Sequence, residues 1–218
     1  MAKQKRRRPP PLDRRGPQRF PKRRFIVFCE GGNTEPAYFG ALQETVRDAL
    51  VAIETIPVGG EPRTVADGAV TRAKQLGIGK KRKKGRNSFE AGDEVWAVFD
   101  RDAHPRYYDA LQLCEAHWVG IARSNPCFEL WLILHVEDFD RPDDHRAVQS
   151  HFKTLCPEYD PKGRKIPDCK ALLERLENAE CRAERQLLRR QEERDGQLAP
   201  PYTTVWKLTR AIRSAGNT

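Results

Sequence analysis

A chain of 218 residues and 25.0 kDa can bury one ordinary core, with room for an arm and a helical tail but not for two full domains. With 38% hydrophobic residues and a mean hydropathy of −0.76, it has no apolar run near the roughly 20 residues a bilayer requires, so no membrane-spanning helix is expected, and its basic start lacks the apolar centre of a secretory signal. The net charge of +9 is concentrated at one end: in residues 1–24 eleven Lys and Arg against Asp13 alone give +10, leaving 29 basic and 30 acidic residues beyond.

Pro9, Pro10, Pro11, Pro17 and Pro21 interrupt that charge, so residues 1–24 cannot collapse onto a core and are expected to form a disordered basic arm. Two uses fit such an arm: a sequence-independent grip on phosphates through counterion release, or a solubilising tail. Residues 25–29 are a continuous apolar run, the pattern of a strand covered on both faces. After Gly31-Gly32-Asn33-Thr34, apolar residues at Tyr38, Phe39, Leu42, Val46 and Leu50 have helical spacing. Residues 51–58 read as a second strand and 64–76 as a second helix stopped by Gly77 and Gly79. Residues 94–99 form a third strand ending in Asp100-Arg101-Asp102, followed by a helix over 106–117, a short strand over 119–122 and a helix from Asn125-Pro126 to about His135.

Strands alternating with helices predict an α/β domain, a parallel sheet flanked by helices, over residues 25–138. Residues 139–218 are predicted to be a mostly helical C-terminal extension packing on it. Its elements are helical spacing at Val148, Phe152 and Leu155, a long charged helix over 168–195 striped with Leu172, Leu173, Leu176, Ala179, Leu187 and Leu188, and a last helix over 204–212. The long helix is a candidate homodimer surface. Six cysteines without a C-x-x-C pair lack zinc-ligand spacing and are expected to be reduced packing thiols in a cytoplasmic protein.

Acids fall where an open α/β sheet binds its ligands, outside the carboxyl ends of the strands. Glu30 closes the first strand, and Asp100 and Asp102 close the third; at i and i+2 those two aspartates point the same way and Arg101 the other. Converging carboxylates repel unless a cation lies between them, and oxygen donors without thiolate or a His pair select Mg²⁺ or Mn²⁺. A single acid at a strand end also serves as a helix cap or a solvated turn. Gly31, Gly32, Asn33 and Thr34 lead into a helix N-terminus, whose free N–H groups suit a phosphate, although no Gly-Lys-Ser/Thr of a Walker loop follows. Ser124 and Asn125 read as capping groups. The basic stretch 80–86 and the trio Lys162, Arg164 and Lys165 are candidate phosphate contacts or simply solvated charge.

Glu30-Gly31 after a first strand and Asp100-x-Asp102 after a later one resemble the Toprim domain of topoisomerases, primases and related nucleases. More specifically, Cys29 to Phe39, Phe99 to Asp102 with His104, and Ser124 to Trp131 with His135 are similar to the RloB family of Toprim-like proteins from bacterial restriction and abortive-infection loci. Tyr159, Lys162 and Thr204 extend that likeness. The resemblance implies a Mg²⁺-dependent nuclease acting on DNA or RNA, tRNA among them, as an effector of anti-phage defence, working with an AAA- or ABC-type ATPase encoded alongside. It implies acid/base chemistry at Glu30, and metal binding by Glu30, Asp100 and Asp102 with Glu35 as an outer ligand. His104 is a candidate to protonate a leaving oxygen or orient a phosphate, or a surface-loop histidine; Glu129 is a candidate catalytic or metal-supporting acid, or, like Glu35, an acid that opposes a helix dipole; Arg101 and Lys162 are candidate phosphate contacts. The alternative is a non-catalytic nucleic-acid-binding or regulatory subunit acting with the ATPase.

Overall fold

The computed structural model of the chain describes residues 23–46, 51–79, 92–101, 104–193 and 198–216. The expected arm up to residue 22, the basic stretch 80–86 and Asp102 lie outside the described residues. Among the described residues, five strands form one sheet: β1 (Arg23–Cys29), β2 (Val51–Pro57), β3 (Glu94–Asp100), β4 (Gly120–Asn125) and β5 (Tyr202–Thr203). Their order is β2-β1-β3-β4-β5, parallel throughout except for the last pair. Eight helices complete the described chain: α1 (Thr34–Thr45), α2 (Pro62–Leu76), α3 (Tyr107–Ala116), α4 (Glu129–Val136), α5 (His145–Leu155), α6 (Cys169–Leu173), α7 (Leu176–Glu193) and α8 (Val205–Gly216).

β1 explains why both faces of the sheet are covered. Its apolar run is uninterrupted, so alternation sends Phe25, Val27 and Cys29 to one face and Ile26 and Phe28 to the other. The first face packs on α1, α4 and the helices of the C-terminal extension, the second on α2 and α3. The chain leaves β1 through α1 to one side, reaching β2, and then crosses by α2 to β3 on the other side of β1. Strand order therefore reverses between β1 and β3, which makes the crevice at their carboxyl ends the expected ligand site of such a sheet.

The structure moves several expected boundaries. β1 begins at Arg23, because Arg23 pairs with Glu94 and Arg24 with Asp93 in the segment leading into β3; these two charges belong to the sheet and not to the arm. α2 starts at Pro62, a residue suited to a first turn, and stops at Gly77, whose φ of 65° is left-handed. β4 continues to Asn125, so Ser124 and Asn125 are strand residues and not helix caps: Ser124 Oγ lies 2.9 Å from Thr203 Oγ1, and α4 begins only at Glu129. The extension is not purely helical, since Tyr202–Thr203 adds β5 antiparallel to β4.

The predicted single helix over 168–195 is two, α6 and α7. Arg175 N–H bonds the carbonyl of Leu172 at 2.9 Å, three residues back, which tightens the turn between them. Leu187 is buried, but Leu188 is 54% exposed and drops out of the expected stripe. All six cysteines are free, five of them buried. Among the described residues no helix is long and apolar enough to cross a membrane.

Candidate functional site

At the end of β1 the ladder runs one residue beyond the strand: Glu30 N–H bonds Val98 O at 3.0 Å. That fixes the Glu30 side chain at the end of β3, where its Oε2 accepts the Asp100 backbone N–H at 3.1 Å. Asp100 is held in turn by the next peptide, as Arg101 N–H bonds Ser124 O at 2.7 Å. The sheet's own hydrogen bonding therefore brings the Glu30 side chain to Asp100, two of the three acids expected at this end of the sheet.

The glycine turn folds a third acid into the same place. Glu35, in the first turn of α1 and only 5% exposed, accepts the Gly31 N–H at 3.1 Å. A Cβ at Gly31 would lie 2.1 Å from Glu35 Oε2, so this carboxylate can tuck under the turn only because residue 31 is glycine. The fourth acid, Glu129, opens α4 at 4% exposure. It accepts a hydrogen bond from the Tyr159 hydroxyl at 2.5 Å and a longer one from Gln149 Nε2 at 3.4 Å. Burial holds the Glu35 carboxyl above the usual carboxylate range and the charge of Glu129 adds to this, while backbone N–H groups and Lys165 pull the other way. Burial, reinforced by Glu129, also pushes the Tyr159 hydroxyl up, so it stays a proton donor to that acid.

Glu30, Glu35, Asp100 and Glu129 line one cavity of about 330 Å³. Its remaining walls are the 31–34 turn, Phe128, Gln149, and Gly163 and Lys165 from the loop between α5 and α6. The donors are all hard oxygens, the set that suits Mg²⁺ or Mn²⁺. The buried thiols nearby compete poorly: burial, then the charges of Glu129 and Asp100, raises Cys127 well above the ordinary thiol value, and Cys29 is raised likewise by burial and Glu35. Among the described residues no three His, Cys, Asp or Glu side chains form a ready metal cluster, and Asp102, expected to complete the set, lies outside them.

Other expected site residues fall elsewhere. Arg101 turns away from the cavity; its guanidinium donates to Tyr108 Oη at 2.9 Å and to Leu198 O at 3.1 Å and lies against the Tyr107 and Tyr108 rings. The alternation that aims Asp100 inward sends Arg101 outward. His104 is not among the residues lining the cavity, and its carbonyl accepts the Tyr107 N–H at the start of α3. Lys162 is exposed and also off the lining, while Lys165, three residues on, is on it. Lys165 was one of three basic residues read as phosphate contacts or solvated charge, with nothing local to set it apart from Lys162 and Arg164; Gln149 had no signal in the sequence, because it reaches the cavity only through tertiary packing.

Searches of curated proteins and of solved structures found no match to the chain. The family model described as RloB-like protein matches residues 25–212, that is, the whole described fold from β1 into α8 apart from its outermost residues. The chain belongs to the RloB-like family.

Proposed function

We propose that the chain is a nuclease that hydrolyses phosphodiester bonds in DNA or RNA with the help of Mg²⁺ or Mn²⁺, in the cavity between the ends of β1 and β3. The observation that supports this most is that four carboxylates, carried at the end of β1 and by α1, β3 and α4, line one cavity at the reversal of strand order. Glu30 and Asp100, with Asp102 from the adjoining segment, would hold the ion. When bound, it would lower the pKa of a water and neutralise charge developing on the phosphoryl oxygens. The chain's own residues would supply the rest: Glu30 would take a proton from the attacking water, while Glu35 braces the glycine turn and Tyr159 and Gln149 hold Glu129. The RloB-like membership supports a role in anti-phage defence in the bacterial cytoplasm, alongside an ATPase.

A second reading, a nucleic-acid-binding subunit without catalysis, is favoured by one specific observation: Glu30 and Glu129 already accept hydrogen bonds from Asp100 N–H, Tyr159 and Gln149. Incubation of the chain, alone and with the partner ATPase, with plasmid, single-stranded DNA and tRNA separates the two. Nuclease action predicts products with Mg²⁺ or Mn²⁺, none with EDTA, and loss of roughly 10²-fold or more in Asp100→Ala and Glu30→Gln. Equal cleavage by these variants, or no product under any condition, contradicts it.

A further inference from the structure

We infer that Lys165 is the residue that takes the substrate's phosphate in this cavity, delivered by the loop between α5 and α6. This rests on the nuclease reading and names the group that would receive the phosphodiester. Among the described residues that line the cavity there are four carboxylates and one cation, Lys165. A polyanion approaching four acids needs compensating positive charge on its own side as well as at the acids.

The loop is built to hold this lysine. Asp160 O accepts the N–H groups of Gly163 at 3.1 Å and Lys165 at 3.2 Å, and Asp160 Oδ1 accepts that of Lys162 at 3.0 Å. A Cβ at Gly163 would fall 2.4 Å from Asp160 Oδ2, so a side chain there would push the Asp160 carboxylate out of its present position. Lys165 itself has φ 52°, a left-handed conformation that a lysine rarely adopts unless its surroundings impose it. A further contact comes from the site: the buried Thr34 hydroxyl, in the first turn of α1, donates to Lys165 O at 2.9 Å. The same glycine turn that tucks in Glu35 thus anchors the lysine across the cavity. Lys162, with its side chain exposed and off the lining, has no such placement.

The test uses the full chain with two probes that share a phosphodiester backbone, a fluorescein-labelled DNA duplex and labelled tRNA, in Ca²⁺ and in EDTA over a range of salt. Lys165→Asn removes the charge with a residue that tolerates left-handed backbone, Lys165→Arg keeps the charge, and Lys162→Asn is the control; melting curves check folding. The expectation for Lys165→Asn is roughly tenfold weaker binding and a salt slope smaller by about 1, with Lys165→Arg and Lys162→Asn close to the unaltered chain. Whichever probe shows the effect names the nucleic acid. Unchanged affinity and slope in Lys165→Asn, an equal loss in Lys162→Asn, or no binding of either probe by the unaltered chain overturns the inference. Cleavage in Mg²⁺ is scored separately: weakened binding without any cleavage sinks the nuclease reading and leaves Lys165 standing, and intact cleavage with indifferent Lys165→Asn does the reverse.

Discussion

Gly31 and Glu35 depend on each other, and the clash that ties them falls on the far end of a side chain, not on backbone. Gly31→Ala should therefore cost little stability, because the Glu35 carboxylate can swing aside. It should cost activity about tenfold or more, because that swing opens the turn over the cavity; a melting curve beside a cleavage assay reads both. Glu35 also carries a pH signature. Its carboxyl is raised by burial, so the folded chain holds this proton more tightly than the unfolded chain does, and stability falls as pH rises through the raised value. Glu35→Gln is expected to raise the melting temperature at neutral pH in EDTA, with the gain shrinking as pH falls. Tyr159→Phe removes the hydroxyl from Glu129 and leaves the ring, so it tests positioning: kcat should fall with KM little changed. Glu30 and Asp100 were legible in the sequence because each closes an apolar run that can only be a buried strand. Gln149 was not, since the helix that carries it shows no local pattern that aims inward; Lys165 was legible only as one of a basic trio, and the three-residue step from Lys162 to Lys165 follows the contacts of Asp160 and Thr34.

α1 and α4 are joined through His135, which is fully buried. Its Nδ1 faces the Trp131 carbonyl at 2.9 Å, which can only accept, so the proton lies there and Nε2 accepts from the Tyr38 hydroxyl at 3.0 Å. Burial lowers this imidazole from 6.5 to about 4. A lowered value means the unfolded chain takes up the proton first, so the contribution is present above pH 6.5 and lost as pH falls toward about 4. Urea unfolding should show up to about 3 kcal/mol less stability at the acid end, with a flatter pH dependence in His135→Gln; parallel curves for the two chains would contradict it. α7 and α8 are clamped by Glu180, 3% exposed, which accepts Thr209 Oγ1 at 2.8 Å and Arg213 Nη1 at 2.9 Å. Because the arginine is partly in solvent, Glu180→Ala is expected to cost about 2 kcal/mol, not the larger penalty of a wholly buried pair. At this scale the parallel strands and their helices follow from apolar runs and periodicity. The α6–α7 break and β5 do not: the first has no Gly or Pro to mark it, and the second is a two-residue strand in which Tyr202 and Thr203 pair with Asn125 and Ser124 of β4.

Across the whole molecule, charge and chemistry are separated. The fold takes Arg23 and Arg24 into β1 as partners of Glu94 and Asp93, leaving nine basic residues against Asp13 in residues 1–22. Deleting residues 1–22 should weaken nucleic-acid binding and flatten its salt dependence without altering metal dependence; an unchanged salt slope would assign the arm to solubility. The sheet order β2-β1-β3-β4-β5 lies beyond any local pattern, and it is what brings β1 beside β3 and their acids into one crevice. The most direct test of a metal site at Glu30 and Asp100 is a crystal of the chain soaked in Mn²⁺ and measured at an anomalous wavelength. A peak is expected in the cavity within roughly 2.0–2.6 Å of carboxylate oxygens of Glu30 and Asp100, lost in Asp100→Ala. A cavity without a peak at saturating Mn²⁺, or an ion bound only elsewhere, would contradict it.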